Sequence, residues 1–410
     1  MGKSLSVNLS RLKSTFEMSN KIGGTKNGGI HRLTFTEEDK QMRDIFVQWM
    51  KDSGLKVRVD DFGNIYGKRE GKNKNADSVM IGSHLDSMPM AGRYDGILGV
   101  LASLEVVRTL NDHNIETERS IEIVNFTNEE GERFKPNMLG SGGITGKHDK
   151  EFIYNVKDYE GITFLEGLKE IDYLGSKNNR ASHVAYFIEL HIEQGPFLEA
   201  NKKVIGVVDG VKGSSRFKLS IKGVSSHGAF PNDFRNDALI AASEIALVID
   251  NQPDIFQDNL TTSIGVFEVY PSVQSQTSEN VEMTFDVRHL NGNIKRKAIN
   301  NIKQSIEEIA NKKGVEVKLE QTWDANGQNF SKKVIEMVKD GAESYQYPYQ
   351  YITSSPLHDA SYIADIAETG MIFVPCEKGL SHREEEYVSF EDIEKGVNVL
   401  LYATQKLANL

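Results

Sequence analysis

The chain has 410 residues, 39% of them hydrophobic, a formal net charge of -11 and one cysteine. That length fits two domains with sizeable cores, the acidic balance excludes nucleic acid or an anionic membrane as the main partner, and a single cysteine excludes an intrachain disulfide framework. With no apolar run near the length of a membrane span and no signal-peptide core, the expectation is a soluble cytoplasmic protein.

In chain order, Met1-Gly2-Lys3-Ser4-Leu5-Ser6 matches the short N-myristoylation pattern, which chance supplies often, and it is set aside. Residues 36–52 read as an amphipathic helix with Thr36 as its N-cap and acids in the first turn. Short strands are expected at 56–59 and 64–67, and a buried strand at 78–81 runs into His84. Ile97, Val100, Leu101, Leu104 and Val107 form one face of a helix. Strand 121–126 leads to Glu129 and Glu130, and strand 186–191 ends on His191. Strands alternating with helices indicate an α/β sheet domain.

From about residue 213 the rhythm changes. Strand 216–222, helix 237–250, strands 261–270 and 281–288, helix 294–312 and strand 315–323 give the order βαββαβ, the ferredoxin-like pattern. A helix over 331–345 and a strand over 371–375 then restore the first rhythm, and His382 follows in a loop. If His382 joins the earlier residues, the expected organisation is a split α/β catalytic domain, residues 1–212 and 330–410. It would be built on a central mixed sheet with helices on both faces and interrupted by an inserted domain at 213–329.

The chemistry concentrates at strand ends, where sites in α/β sheets gather. In Ser83-His84-Leu85-Asp86, strand alternation can put His84 and Asp86 on one face, so that the imidazole binds metal while the carboxylate orients its other N–H. Asp95, between Tyr94 and Gly96, reads alone as a turn aspartate; in company it can bridge two metals about 3.5–4 Å apart. Of Glu129 and Glu130, one can bind metal while the other activates water. His191 and His382 each read alone as ordinary hydrogen-bonded histidines. Together these residues indicate a two-metal hydrolase centre. Zinc, manganese, cobalt and nickel all suit such donors, with zinc or manganese expected first. Cys376 reads as a small buried side chain.

The ordered series Gly28-Gly29-Ile30-His31-Arg32-Leu33, residues 82–86, 92–96 and 126–131, Leu139-Gly140-Ser141-Gly142, residues 189–196, 286–288 and 379–382 resembles the amidase/hydantoinase/carbamoylase branch of the dinuclear-metal peptidases. That branch includes N-carbamoyl-L-amino acid hydrolase, allantoate amidohydrolase and β-ureidopropionase. The resemblance implies one metal on His84 and His191, a second on Glu130 and His382, and Asp95 between them. It implies Glu129 as general base and Asp86 as the partner of His84. The inserted domain would be a lid and homodimerisation surface, with His227 stabilising the oxyanion in the partner subunit's site and Arg288 gripping the substrate carboxylate. Gln194 would face the substrate. His191 is the discriminating position, because the peptidases and aminoacylases of the superfamily usually offer a carboxylate there.

Three departures fall in regions that would face substrate. Ser275 stands near the place of a usual asparagine, the loop between His227 and Pro231 is one residue short, and Ser355-Pro356-Leu357 replaces a small-residue run before His358-Asp359-Ala360. The expected function is a metal-dependent amidohydrolase cleaving a linear C–N bond of an N-carbamoyl-L-amino acid or ureido acid. An N-acyl-amino acid hydrolase or dipeptidase with the same centre is the near alternative, and a silent binding protein the distant one.

Overall fold

The computed structural model describes residues 5–410; the first four residues of the myristoylation-like stretch lie outside the described residues. The chain divides into two compact units, one of residues 1–209 and 330–410, the other of residues 210–329.

Thirteen strands are found among the described residues: β1 Lys56–Val59, β2 Ile65–Arg69, β3 Ser78–His84, β4 Ile121–Phe126, β5 Val184–Ile192, β6 Ile205–Val211, β7 Gly213–Lys222, β8 Thr261–Tyr270, β9 Asn280–His289, β10 Glu316–Asp324, β11 Gln328–Asn329, β12 Tyr349–Ser354 and β13 Glu368–Val374. In the first unit the sheet runs β1-β2-β4-β3-β5-β13-β6, with β12 also paired to β6. It is mixed. The four central strands β4, β3, β5 and β13 are parallel, while β1, β2 and β6 run antiparallel to their neighbours. All four parallel strands therefore end along one edge, and that edge carries the chemistry.

Period two decides which side chains reach it. In β5, Tyr186, Ile188, Leu190 and Ile192 join the helix-covered core, which leaves Phe187, Glu189 and His191 on the other face. The helix Ile97–Asp112 reads from sequence as one apolar face, but it is buried nearly all round. It packs on β3, β4 and β5 and also against helices Leu9–Ser19 and Phe390–Leu407. The helix Glu37–Asp52 begins as expected, the Thr36 hydroxyl accepting the Asp39 N–H at 3.4 Å. The sequence reading omits Leu139–Thr145, a helix whose three glycines among seven residues give it little intrinsic propensity.

In the second unit the four long strands form an antiparallel sheet in the order β10-β7-β9-β8. Helices Ala238–Asp250 and Gly292–Lys313 cover one face through a core that includes Phe217, Leu219, Val281, Met283, Phe285, Ile302 and Ile306. A short helix, Gln252–Phe256, precedes β8. No described helix is long and apolar enough to cross a membrane.

Candidate metal centre

His84 ends β3, Glu129 and Glu130 follow β4, His191 lies at the end of β5, and His382 follows β13. Asp95 sits in the loop before helix Ile97–Asp112 and faces all three imidazoles. Its Oδ1 is 3.1 Å from His191 Nε2 and 3.7 Å from His84 Nε2, while its Oδ2 is 3.3 Å from His382 Nε2. Glu130 Oε2 is 3.6 Å from that same nitrogen. Two groups of donor atoms result, His84/Asp95/His191 and Asp95/Glu130/His382, each drawn within 4.8 Å and sharing only Asp95.

Backbone carbonyls orient two of the imidazoles. Nδ1 of His84 lies 2.9 Å from the Asp86 carbonyl and Nδ1 of His191 lies 3.0 Å from the Ile192 carbonyl. A carbonyl only accepts, so both Nδ1 atoms carry the proton and both Nε2 atoms face Asp95. The Asp86 carboxylate therefore has a different task from the one read in the sequence. It stands 3.9 Å from His84 Nδ1 and instead accepts the backbone N–H groups of Glu129 at 3.4 Å and Glu130 at 3.2 Å, with the Thr34 hydroxyl at 3.1 Å. Asp86 holds the loop that carries both glutamates.

Gly96 is required twice over. Its φ is +65°, and a Cβ there would lie 2.2 Å from the His84 ring. His382, Gln194 and Asn128 also adopt positive φ of 56°, 53° and 59° without being glycine.

The electrostatics are those of crowded acids. Burial, followed by the charges of Asp359, Glu130, Asp95 and Asp86, pushes the Glu129 carboxyl well above the ordinary glutamate range. Burial, Asp95 and Asp86 do the same to Glu130. Burial alone would raise Asp95, but His191, His382 and His84 outweigh it and hold this carboxyl well below its usual range. The same pairing overcomes desolvation at His191 and lifts it to about 9.

Gln194 is close to the cluster, its amide nitrogen donating to Asp95 Oδ2 at 2.7 Å and Ser381 Oγ at 3.1 Å, while its Oε1 is buried without a hydrogen-bond partner among the described residues. The remaining sequence-selected residues lie in the second unit. His227 is exposed and bridges Gln276, which brings it beside Ser275, whose carbonyl accepts the Gly228 N–H. Arg288 lies on β9, its Nε and Nη2 donating to Asp286 Oδ2 at 2.9 and 2.6 Å.

The sequence pattern of peptidase family M20/M25/M40 matches residues 80–406. The chain belongs to this family. It is 34% identical over 409 residues to an N-carbamoyl-L-amino-acid amidohydrolase of Pseudomonas sp. (strain NS671), covering 97% of this chain and 98% of the relative. It is 32% identical over 421 residues to a ureidoglycolate hydrolase of Arabidopsis thaliana, covering 100% of this chain and 88% of the relative. A solved amidase of the hydantoinase/carbamoylase family from Burkholderia multivorans superposes with a TM-score of 0.97 at 39% identity, covering 99% of both chains. The resemblance to that branch, read from motifs alone, is thus shown over nearly the whole chain.

Enzymes of this family use divalent metal ions, and the donor chemistry here fits them. Asp86, Asp95, Glu129 and Glu130 crowd together with imidazoles as their only ion-pair partners among the described residues. Cations would relieve that accumulated charge. A third possible group, Glu189, His191 and His358, is already satisfied: Glu189 accepts from Ser83 Oγ at 2.6 Å and the Ala360 N–H at 3.0 Å, and His358 Nε2 lies 3.1 Å from Ser354 Oγ. It packs beneath the cluster and supports it.

Motif reading missed Glu386 and gave no role to Ser381, Ser141 and Asp359, which it held only as members of motifs. Ser381 Oγ lies 2.8 Å from Asp95 Oδ2 and 3.1 Å from Glu386 Oε2, and Ser141 Oγ donates to Asp359 at 2.5 Å. The signal for Glu386 was slight, a third acid in the run Glu384-Glu385-Glu386.

Proposed function

We propose that this protein is a metal-dependent amidohydrolase that cleaves a linear C–N bond of an N-carbamoyl-L-amino acid or ureido acid. The observation that carries the reading is the division of Asp95, one oxygen toward His84 and His191 and the other toward His382. The names of the relatives support the substrate class. His84 and His191 would hold one cation, Glu130 and His382 the other, and Asp95 would serve both, with zinc or manganese the leading candidates. Two such ions, when bound, supply Lewis acidity toward the substrate carbonyl and lower the pKa of water.

The chain's own residues do the rest. Glu129 takes the proton of the attacking water and returns it to the leaving nitrogen. Asp86 fixes the Glu129 and Glu130 backbone, so that base and ligand keep their relative positions. His227 donates to the developing oxyanion in the partner subunit's site, and Arg288, with Gln194 and Ser275, binds the acid end of the substrate.

The second unit serves as a ferredoxin-like lid and as the homodimerisation surface. Its edge strand β8 exposes Val266, Phe267 and Tyr270, and the helix packed over it exposes Ile240 and Leu247. An edge of that length and apolarity calls for a covering partner.

Ammonia release from the metal-loaded protein tests the function. The panel holds N-carbamoyl-L-amino acids, 3-ureidopropionate and allantoate, with N-acetyl-amino acids and dipeptides assayed for free amino acid and Glu129→Gln as the blank. Ammonia from a carbamoyl or ureido compound, lost in Glu129→Gln, is the expected result. Turnover confined to acyl or peptide compounds would replace this reading with the acylase alternative.

A further inference from the structure

One row of the second unit's open sheet face is built for anions. Arg288 pairs directly with Ser214 on β7 and with Thr261 on β8, so the three side chains share a face. The hydroxyls of Ser214 and Thr261 are both buried and without hydrogen-bond partners among the described residues. Hydroxyls so placed cost free energy unless something is there to bond them. Two residues before Ser214, in the link between β6 and β7, stands Lys212. It is 5% exposed and makes no ion pair among the described residues. Burial, with the Arg288 guanidinium beside it, lowers the ammonium below the usual lysine range.

The charges do not balance locally. Asp286 is already engaged, accepting from Arg288 and from the Ser263 hydroxyl at 2.9 Å. That leaves Lys212, a largely buried residue two positions before Ser214, as a cation without an ion-pair partner among the described residues. A buried charge in this position is costly until an anion pairs with it.

We propose that Lys212 is a specificity-determining residue, and that together with the row Ser214, Arg288 and Thr261 it takes the acid end of a ureido acid carrying a second carboxylate. The inference rests on the assignment of Arg288 to the substrate carboxylate made above. Arg288 binds the first carboxylate, Lys212 the second, and the two hydroxyls supply the remaining donors. A neutral side chain in place of the second carboxylate would leave the ammonium unpaired.

The test compares kcat/KM for N-carbamoyl-L-aspartate and N-carbamoyl-L-alanine, and for the corresponding N-acetyl pair, in the wild type, Lys212→Met and Lys212→Arg. The expected wild-type ratio favours the aspartate compound at least tenfold. That ratio should fall toward one in Lys212→Met and persist in Lys212→Arg. Calorimetry on the wild-type protein gives a reading independent of any variant's folding: succinate should bind at least tenfold more tightly than butyrate. A wild-type ratio near one, a ratio unmoved by Lys212→Met, or equal affinity for succinate and butyrate would overturn the inference, while ammonia from the alanine compound would still uphold the amidohydrolase reading. Lys212-dependent preference within the acetyl pair alone, with no ammonia from either carbamoyl compound, would uphold the charge selection and overturn the carbamoyl reading instead.

Discussion

Glu386 holds Asp95 by its backbone: Oε1 of the glutamate accepts the Asp95 N–H at 3.1 Å and the adjacent Tyr94 N–H at 2.9 Å. Gly92 leaves the room for this, since a Cβ there would lie 2.2 Å from that oxygen. The central carboxylate of the cluster is thus aimed by a second carboxylate that touches none of the imidazoles. Removing groups that orient metal ligands typically costs about 10–100-fold in metal affinity. Glu386→Ala is expected to lose affinity on that scale in a metal titration while keeping a cooperative thermal transition. Unchanged affinity would mean that the Asp95 loop stands without it.

Gly96→Ala asks for a left-handed backbone from a residue with a Cβ and drives that Cβ into His84. The conformational part alone is about 1–3 kcal/mol, and the contact with backbone-anchored His84 adds to it. Expected outcomes are a lowered Tm and, after dialysis, less metal per chain than the wild type by elemental analysis. Wild-type metal content would show that the loop adapts.

Asp60 offers a stability test away from the cluster. Its two oxygens accept from the Phe62 and Asn64 N–H groups, the Asn64 amide and the Tyr66 hydroxyl, at 2.8 to 3.0 Å. Asn64 in turn accepts the Thr127 N–H at 2.9 Å, two residues before Glu129. Asp60→Ala leaves those donors buried, at about 1–3 kcal/mol for each one unsatisfied, so a loss of several kcal/mol in denaturant unfolding is expected.

Burial lifts Asp60 to about 6 in spite of those donors. A carboxyl raised in the folded state favours folding most when protonated. Its contribution is therefore fully present below its ordinary value near 3.8 and is lost as pH rises through 6. The stability of the wild type relative to Asp60→Asn should decline between pH 4.5 and pH 7 in thermal or urea unfolding. A difference that grows with pH would contradict the shift.

The proposed dimer is open to a surface substitution. Leu247 is 69% exposed on helix Ala238–Asp250. Leu247→Glu should convert a dimer into a monomer in light scattering while the chain keeps a cooperative unfolding transition, since the residue lies outside the unit's own core. A wild-type protein that is already monomeric would remove the dimer from the proposal.

Much of the candidate site was legible because the residues that could hold metal sit at the ends of apolar strands. His84, His191 and the glutamate pair each follow a run such as Val79-Met80-Ile81 or Ile121-Glu122-Ile123-Val124 that announces a buried strand. The supporting layer was less legible. Of the run Glu384-Glu385-Glu386, Glu385 is exposed while Glu386 turns inward to 3% exposure, and composition cannot separate them. Asp86 is two residues from His84, so a bond between their side chains was the natural reading. The chain turns instead, and the carbonyl, not the carboxylate, meets the imidazole.

By itself the sequence determined the donor types, their order along the chain and the strand or loop carrying each one, because period two, glycine placement and apolar runs are local properties. It also determined the family, because the ordered motifs span nearly the whole chain. Only the tertiary structure decided which nitrogen of His84 and of His191 faces Asp95, which acid aims Asp95, and that Arg288 shares a row with the unpaired hydroxyls of Ser214 and Thr261. Those facts depend on how the chain turns after each strand, on parallel strands ending together and on cross-strand register, which bring together residues as distant in sequence as Asp95 and Glu386 through packing that no local pattern encodes.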